Sequence, residues 1–126
     1  MTDSGVGGES GLAARLAAAE EVEVATTTAE GTSRFVPIWV VPVDGELYAR
    51  SFKGDDGGWY RDATGGRTTT LRLDGVEHEV GVEPVAGERR AEIDEAYRTK
   101  YAEYADTHVP PMLTDEVVAT TVRFAL

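Results

Sequence analysis

Two Asp-Gly pairs constrain the fold of this 126-residue chain more than any other feature of its sequence. Each pair separates two runs of strand-forming residues. Asp-Gly supplies the two residues that tolerate the positive φ angles of a two-residue type I′ turn. The first pair, Asp44-Gly45, joins residues 35–43 to residues 46–52, and the second, Asp74-Gly75, joins residues 68–73 to residues 76–85. The sequence therefore predicts two β-hairpins.

Alternation and apolar runs give the remaining strand signals. Residues 21–28 alternate Glu and Val before a run of threonines, which predicts a half-buried strand. Residues 35–43 are apolar at nearly every position, as in a strand buried on both faces. Because Pro37 and Pro42 cannot donate to a ladder, this strand is predicted to be an edge strand or to bulge near each proline. Residues 117–126 predict the last strand.

Helical patterns occur near both ends of the chain. Residues 1–11 hold four glycines and little apolar material, so we expect a disordered tail there. Residues 12–20 predict a short helix, and residues 88–106 predict a second one. The predicted stripe of the second helix consists of Ile93, Tyr97, Tyr101 and Tyr104. Since the strands do not alternate with helices, we expect one α+β, mostly β barrel domain over residues 12–126, with about six strands.

Composition excludes several classes of function. Twelve basic and 23 acidic residues give a net charge of −11, which argues against a nucleic-acid partner because phosphate binding needs Lys and Arg. The chain has no cysteine, so thiolate nucleophiles and cysteine-based metal sites are excluded. The longest apolar run, residues 35–43, is less than half a membrane span, and Arg15 interrupts any signal-peptide pattern. We expect a cytoplasmic protein with no membrane partner.

Basic residues are concentrated in the middle of the chain. Six of the twelve lie in the segment from Arg34 to Arg72, which contains only five acidic residues. One interpretation is ordinary scatter of surface charge. The other is a site for a small anionic ligand, such as a phosphate, held away from the acidic remainder.

The residues best suited to binding an anion lie in the turn that follows the first hairpin. Arg50, Ser51, Phe52, Lys53 and Gly54 end a strand in a glycine turn, where backbone N–H groups, a hydroxyl and two cations can bind an anion. Trp39, Trp59 and Tyr60 offer flat surfaces for a planar ring. In the simpler interpretation the tryptophans are core anchors and the segment is only a turn. His78 and His108 lack partners at ligand spacing, so no metal site is predicted.

The order and spacing of short motifs resemble the flavin-binding split β-barrel superfamily. These motifs are Val-Ala-Thr-Thr-Thr at 24–28, Arg-Phe-Val-Pro-Ile-Trp at 34–39, Ala-Arg-Ser-Phe-Lys-Gly at 49–54 and Gly-Trp-Tyr-Arg at 58–61. The sequence is most similar to an uncharacterised bacterial branch, domain of unknown function 2255, which residues 96–101 and 120–123 also resemble. It is more distantly similar to nitroreductase-like enzymes that use a deazaflavin coenzyme. The resemblance covers roughly residues 20 to 126.

This resemblance implies a six-stranded split β-barrel, usually a homodimer, with FMN or a deazaflavin coenzyme in a groove near the subunit interface and a small-molecule substrate. Arg34 matches the arginine on the phosphate side of the cofactor. Ser51, Lys53 and Gly54 match the turn that cradles the phosphate or the ring. Trp59 and Tyr60 match the aromatic pair beneath the ring. Two tyrosines of the predicted helix are candidates for hydrogen bonding to substrate, although their helical spacing is also typical of packing; these are Tyr97 and Tyr101.

One segment departs from the deazaflavin enzymes. Their Gly-Arg-Lys-Ser-Gly-type turn is reduced here to Glu30-Gly31-Thr32-Ser33, with an acid in place of a cation. Two main hypotheses follow. The chain is a flavin- or deazaflavin-dependent oxidoreductase that transfers hydride to a small organic acceptor. Alternatively, it is a split barrel without redox chemistry that binds another small ligand or catalyses a cofactor-free reaction. A purely structural role ranks third.

Overall fold

The computed structural model describes residues 4–27, 31–52 and 58–126. Its strands within these ranges are β1 (Val22–Thr27), β2 (Ser33–Ile38), β3 (Val40–Val43), β4 (Glu46–Ala49), β5 (Thr68–Leu73), β6 (Val76–Pro84) and β7 (Val122–Ala125). Its α-helices are α1 (Ser4–Ala18), α2 (Gly58–Gly66), α3 (Arg90–Lys100) and α4 (Asp115–Val118). Two short 3₁₀ helices cover Ala102–Tyr104 and Pro110–Leu113. None of the helices in these ranges is long and apolar enough to span a membrane.

All seven strands form one antiparallel sheet in the order β2-β1-β5-β6-β7-β4-β3. Its two edge strands, β2 and β3, are joined by a single residue, Trp39. Because the chain passes from one edge to the other at Trp39, the sheet curls until its edges meet there. This is the predicted mostly β, barrel-like fold. It has seven strands because the predicted strand 35–43 is divided between the two edges, and Pro37 and Pro42 both lie in edge strands, as predicted.

Both Asp-Gly hairpins are confirmed. Asp44 and Gly45 have φ angles of 52° and 82°, and Asp74 and Gly75 have φ angles of 53° and 80°. Positive φ at both central residues defines the type I′ turn, whose twist matches that of the flanking strands. The pairings β3–β4 and β5–β6 close directly on these turns.

Two hydrophobic clusters lie on opposite faces of the β3–β4 hairpin. Val40 and Leu47 belong to the first cluster, which fills the curled sheet together with α1 and α2. Val41 and Tyr48, the alternate residues of the same strands, belong to the second cluster, against α3. The predicted stripe is buried as expected, since Ile93, Tyr97 and Tyr101 are buried and Tyr104 is half-buried. The helix that carries it is shorter than the predicted residues 88–106: α3 ends at Lys100, so Tyr101 is its C-cap and Tyr104 lies in the 3₁₀ helix that follows.

Two helices differ from the sequence predictions. Helix α1 (Ser4–Ala18) begins before the predicted helix of residues 12–20. The buried Leu16 anchors α1 to the core, and a helix nucleated by packing extends at one hydrogen bond per residue. Helix α2 was not predicted, since its glycines lower helix propensity; burial of Trp59 and Ala63, four residues apart, outweighs this.

The predicted last strand, residues 117–126, is also shorter than expected. Val117 and Val118 belong to α4, and the strand begins only at Val122. Thr114 Oγ1 accepts a hydrogen bond from the backbone N–H of Val117 at 3.3 Å and so caps α4. A side-chain cap and two acidic residues in the first turn favour helix over the β propensity of valine.

Candidate functional site

A cavity of about 490 Å³ opens where the sheet edges meet. Strand β2 and Trp39 form one side, and the residues after β4 form another. The end of β1, the start of α2 and the segment before α4 complete the lining, together with Glu21 just before β1. Six of the predicted site residues line it together: Arg34, Trp39, Arg50, Ser51, Phe52 and Trp59. The fold therefore joins residues that are up to 25 positions apart in the sequence, from Arg34 to Trp59.

Both tryptophans are core anchors and cavity walls at once. The indole of Trp39 stacks on the ring of Tyr101, with centroids 3.8 Å apart and planes 6° from parallel. Trp59 is buried, and its ring packs 6.4 Å from Phe124 and 6.3 Å from Tyr60. Packing against the core fixes the orientation of each indole, so the cavity is lined by rigid aromatic side chains.

Arg50 is a fully buried arginine on the cavity wall. Its Nη1 donates to Asp94 Oδ1 at 2.6 Å and to the carbonyl oxygen of Met112 at 3.0 Å. Its Nε donates to Thr121 Oγ1 at 3.0 Å, and its guanidinium carbon lies 5.3 Å from the ring centroid of Tyr97. A buried charge of this kind needs a paired carboxylate and hydrogen bonds, and Asp94 supplies the charge.

The ion pair of Arg50 continues to the surface. Asp94 Oδ2 lies 3.6 Å from Arg90 Nε, and Arg90 Nη1 lies 2.8 Å from Asp115 Oδ1. Asp115 is largely exposed, whereas Arg50 is not exposed at all. The cavity wall is thus connected to solvent through an alternating chain of charges.

Two buried polar atoms on the cavity-lining residues lack partners. Ser51 Oγ and Arg50 Nη2 form no hydrogen bond with any residue that the structure describes. The backbone N–H of Ser51, by contrast, donates to Thr120 Oγ1 at 2.9 Å. Neither atom has appreciable accessible surface, so both lie beneath the cavity wall and are not exposed to the cavity.

The more open part of the cavity holds ionisable groups of both signs. Arg34 is exposed on β2 and forms no ion pair within the described ranges. Glu21 and His108 also line the cavity, and Thr107 Oγ1 lies 2.9 Å from His108 Nδ1. Sequence reasoning did not assign either residue to the site, and no motif connects them with Arg34. Phe52 is 63% exposed beside them.

The start of α2 approaches β1 closely at the cavity wall. A Cβ at Gly58 would lie 2.9 Å from Thr26 Oγ1, so only glycine fits without a shift of the threonine. Asp62 of α2 accepts from the backbone N–H of Thr27 at 2.8 Å and from Thr26 Oγ1 at 3.4 Å. These contacts hold the N-terminus of α2 against β1.

Several predicted site residues are not among those lining the cavity. Tyr60 packs against the first hydrophobic cluster. Tyr97 and Tyr101 are buried behind the wall, where their hydroxyls donate to the carbonyl oxygens of Trp39 at 3.5 Å and Glu20 at 2.8 Å. Burial raises the pKa of both tyrosines, so they stay protonated. Two other predicted residues, Lys53 and Gly54, lie outside the described residues.

Lys100, a cation near this wall, has a pKa below its ordinary value. It lies at the end of α3, where Nζ donates to the carbonyl oxygen of Val40 and lies 5.3 Å from the ring centroid of Tyr101. Partial burial lowers the pKa of Lys100 to about 8. Lys100 does not line the cavity, so this change concerns stability more directly than ligand binding.

The fold is shared with several solved proteins. An F420-H2 dependent reductase is 22% identical, with a TM-score of 0.56 over 83% of this chain and 93% of that chain. ChuZ from Campylobacter jejuni is 13% identical, with a TM-score of 0.65 over 99% of this chain and 53% of that chain. A conserved hypothetical protein from Mycobacterium tuberculosis is 14% identical, with a TM-score of 0.58 over 98% and 78%. At these identities the likeness concerns the fold alone.

The sequence itself places the chain in a family. No curated protein matches it at a significant level. The profile of the family described as "Uncharacterized protein conserved in bacteria (DUF2255)" matches residues 13–124, nearly the whole chain. This confirms the resemblance identified from the order of its motifs, and the chain belongs to the DUF2255 family.

Proposed function

We propose that the chain binds a flavin or deazaflavin cofactor in the cavity and acts as an oxidoreductase on a small organic acceptor. The observation that carries the proposal is the cavity itself, which combines two rigid indole walls with an exposed arginine, Arg34, that has no ion pair within the described ranges. Its volume of about 490 Å³ is in the range of small-molecule sites. The fold shared with an F420-H2 dependent reductase supports the same class of cofactor.

The residues present fit such a cofactor. Trp39 and Trp59 would flank the planar ring, and Arg50 and Ser51 remain proposed contributors from the wall that follows β4. Arg34 would pair with a phosphate at the exposed end. Lys53 and Gly54 remain proposed contributors from the adjoining turn. When bound, the cofactor supplies the hydride, and the protein provides position, electrostatics and exclusion of water.

A binding titration tests this proposal. FMN and the deazaflavin coenzyme are titrated separately into the full chain while tryptophan fluorescence is followed, because both indoles line the cavity. We expect a micromolar or tighter Kd for one of them. Arg34→Ala should weaken that binding about tenfold, since a charge-assisted hydrogen bond is worth roughly 1.5–3 kcal/mol when shielded and less when exposed.

The matched control is Arg98→Ala. Arg98 is an exposed arginine of α3 that pairs with Glu95 and does not line the cavity, so its removal should leave the Kd unchanged. Absence of binding by both coenzymes would contradict the proposal. Equal weakening by both variants would show that net charge, and not a contact at Arg34, governs binding.

A second candidate function is favoured by Glu21. Glu21 lines the same cavity as Arg34, so its negative charge offsets the positive charge that a phosphate needs. We therefore also propose the alternative of a split barrel that binds a ligand without phosphate and performs no redox chemistry. A thermal-shift screen of phosphate-free and phosphorylated aromatic compounds distinguishes the two. Stabilisation by phosphate-free compounds alone would favour the alternative.

We further propose that the protein is a homodimer. The support is the resemblance to split-barrel proteins, in which the cofactor lies near a subunit interface, together with the exposed Phe52 beside the cavity. Sedimentation analysis of the wild type and of Phe52→Asp is the test. We expect a dimer that the variant weakens; a wild-type monomer at micromolar concentration would refute it.

A further inference from the structure

An acid and an arginine line the cavity at opposite ends of β2. In the β1–β2 pair, Val22 lies opposite Ile38. The next residue beyond this pair is Glu21 on one segment and Trp39 on the other. Glu21 and Trp39 therefore lie at the same end of β2, whereas Arg34 lies near its other end. From Arg34 to Trp39 the chain runs about 16 Å, at roughly 3.3 Å per residue of strand.

Two tyrosines hold the segment of Glu21 against the wall that Trp39 forms. Tyr101 stacks on the indole of Trp39 and donates to the carbonyl oxygen of Glu20 at 2.8 Å. The ring centroid of Tyr104 lies 5.5 Å from that of Trp39, and its hydroxyl donates to Glu20 Oε2 at 2.9 Å. The pKa of Tyr104 is raised chiefly by its hydrogen bond to Glu20, and the charge of Glu21 adds to this rise. The carboxylate of Glu21 is therefore close to the same rings.

The negative charge of Glu21 is not neutralised by any residue that the structure describes. Glu21 is exposed and forms no hydrogen bond or ion pair within the described ranges. Arg34, at the other end of β2, is farther away than the screening length of about 8 Å at physiological ionic strength. Lys100 donates to the carbonyl oxygen of Val40 and does not line the cavity. This end of the cavity is thus acidic.

Aromatic rings accompany this acid. Trp39 and His108 both line the cavity, with ring centroids 6.4 Å apart and planes inclined by 53°. The faces of aromatic rings carry partial negative charge and attract cations, and their apolar surface packs against alkyl groups. A carboxylate beside such rings suits an organic cation better than a hydrated metal ion, because the organic cation uses both the charge and the apolar surface. The net charge of −11 adds a long-range attraction for cations.

We propose that Glu21, Trp39 and His108 form a subsite for an organic cation, such as an alkylated ammonium group. The carboxylate of Glu21 supplies the charge, and the rings pack against the alkyl groups. An anionic group stays at Arg34, at the other end of β2. For the proposed oxidoreductase this cation would be the acceptor substrate, and in that respect alone the inference rests on the proposed function. The subsite itself needs no cofactor.

The test uses two probes of the same shape that differ in charge. Choline carries a trimethylammonium group, and its uncharged analogue carries a tert-butyl group in the same place. Each is titrated into the nitrogen-labelled full chain at constant ionic strength while the indole N–H resonance of Trp39 is followed by NMR. The resonance is assigned by its absence from the spectrum of Trp39→Phe. The pH is held at about 8, because histidine side chains lose their charge between about pH 5 and 8 and a protonated His108 would repel the cation.

We expect choline to shift the Trp39 resonance with a millimolar or tighter Kd, and to bind about fivefold or more tightly than its uncharged analogue. Glu21→Gln should weaken choline binding about fivefold. Because Glu21 is exposed and unpaired within the described ranges, this variant should stay folded, which the same spectra check. The matched control is Glu88→Gln, since Glu88 is also exposed but does not line the cavity, and it should leave the Kd unchanged.

Other outcomes overturn one proposal or the other. Equal binding of choline and its uncharged analogue would overturn the inference, because charge would then play no part. Equal weakening by Glu21→Gln and Glu88→Gln would overturn it too, since net charge alone would govern binding. No shift by choline in a chain that binds FMN or the deazaflavin coenzyme would overturn the subsite and leave the proposed cofactor class standing. The expected choline results in a chain that binds neither coenzyme would support the subsite and refute the proposed function.

Discussion

Removal of the charge of Asp94 should destabilise the protein far more than removal of any exposed charge. Asp94→Asn keeps the size of the side chain and one oxygen acceptor, so the loss is mainly electrostatic. Arg50 would then be a buried cation without a counterion, since its side chain has no exposed surface and Asp94 Oδ1 lies 2.6 Å from Nη1. Two unit charges about 4 Å apart interact by about 4 kcal/mol at an effective permittivity of about 20.

Measured losses on breaking buried pairs agree with this magnitude, at about 3–5 kcal/mol. We therefore expect Asp94→Asn to lower the free energy of unfolding by about 3 kcal/mol or more. The control is Asp115→Asn at the exposed end of the same charge chain, where the carboxylate is 91% exposed and the loss should stay within about 1 kcal/mol.

Urea unfolding followed by tryptophan fluorescence gives both values, provided that the dependence on urea concentration is unchanged between variants. A loss below about 1 kcal/mol for Asp94→Asn, equal to that of Asp115→Asn, would refute the reasoning. It would mean that water reaches Arg50 and that its pair with Asp94 is not buried as described.

Three further variants test local features of the same structure. Gly58→Ala should cost about 1–3 kcal/mol in urea unfolding because its Cβ meets Thr26 Oγ1 at 2.9 Å, whereas Gly65→Ala, with open space around it, should be neutral or stabilising by up to about 1 kcal/mol. Equal effects would contradict the close approach. Folding lowers the pKa of Lys100 from 10.5 to about 8, so between these pH values the unfolded state binds more protons than the folded state. The free energy of unfolding of the wild type should therefore rise with pH across that window, relative to that of Lys100→Met. Parallel stability curves would contradict this sign. Tyr101→Phe removes the 2.8 Å hydrogen bond to the carbonyl oxygen of Glu20 and should lower the free energy of unfolding by about 1 kcal/mol, measured by thermal unfolding, without changing ligand affinity. A large loss of affinity would show that Tyr101 contacts the ligand.

Local chemistry accounts for the parts of the fold that were predictable. The Asp-Gly turns follow from φ preferences of two adjacent residues, and the buried stripe of α3 follows from its period. Helix α2 was missed because its glycines argue against a helix, and only packing of Trp59 in the core decides the outcome. The break of the long apolar strand at Trp39 was missed for a similar reason, since barrel closure is a property of the whole sheet.

In the candidate site, too, local sequence predicts some features and long-range packing decides the others. Arg50 and Ser51 were predicted from a motif, but the partner that buries Arg50 is Asp94, 44 residues later, and no local pattern connects them. Glu21 and His108 enter the cavity only through the curl of the sheet. Tyr97 was correctly placed on the buried face of its helix, but periodicity does not say whether such a face packs on a cavity or behind its wall.

The most direct test of the central claim is mass spectrometry of the small molecules that the native protein releases on denaturation. The proposed cofactor site predicts a flavin or deazaflavin in the released material, in amounts approaching one per chain. Release of a different ligand whose binding requires Ser51 would contradict the claim, as would an empty protein to which neither FMN nor the deazaflavin coenzyme binds.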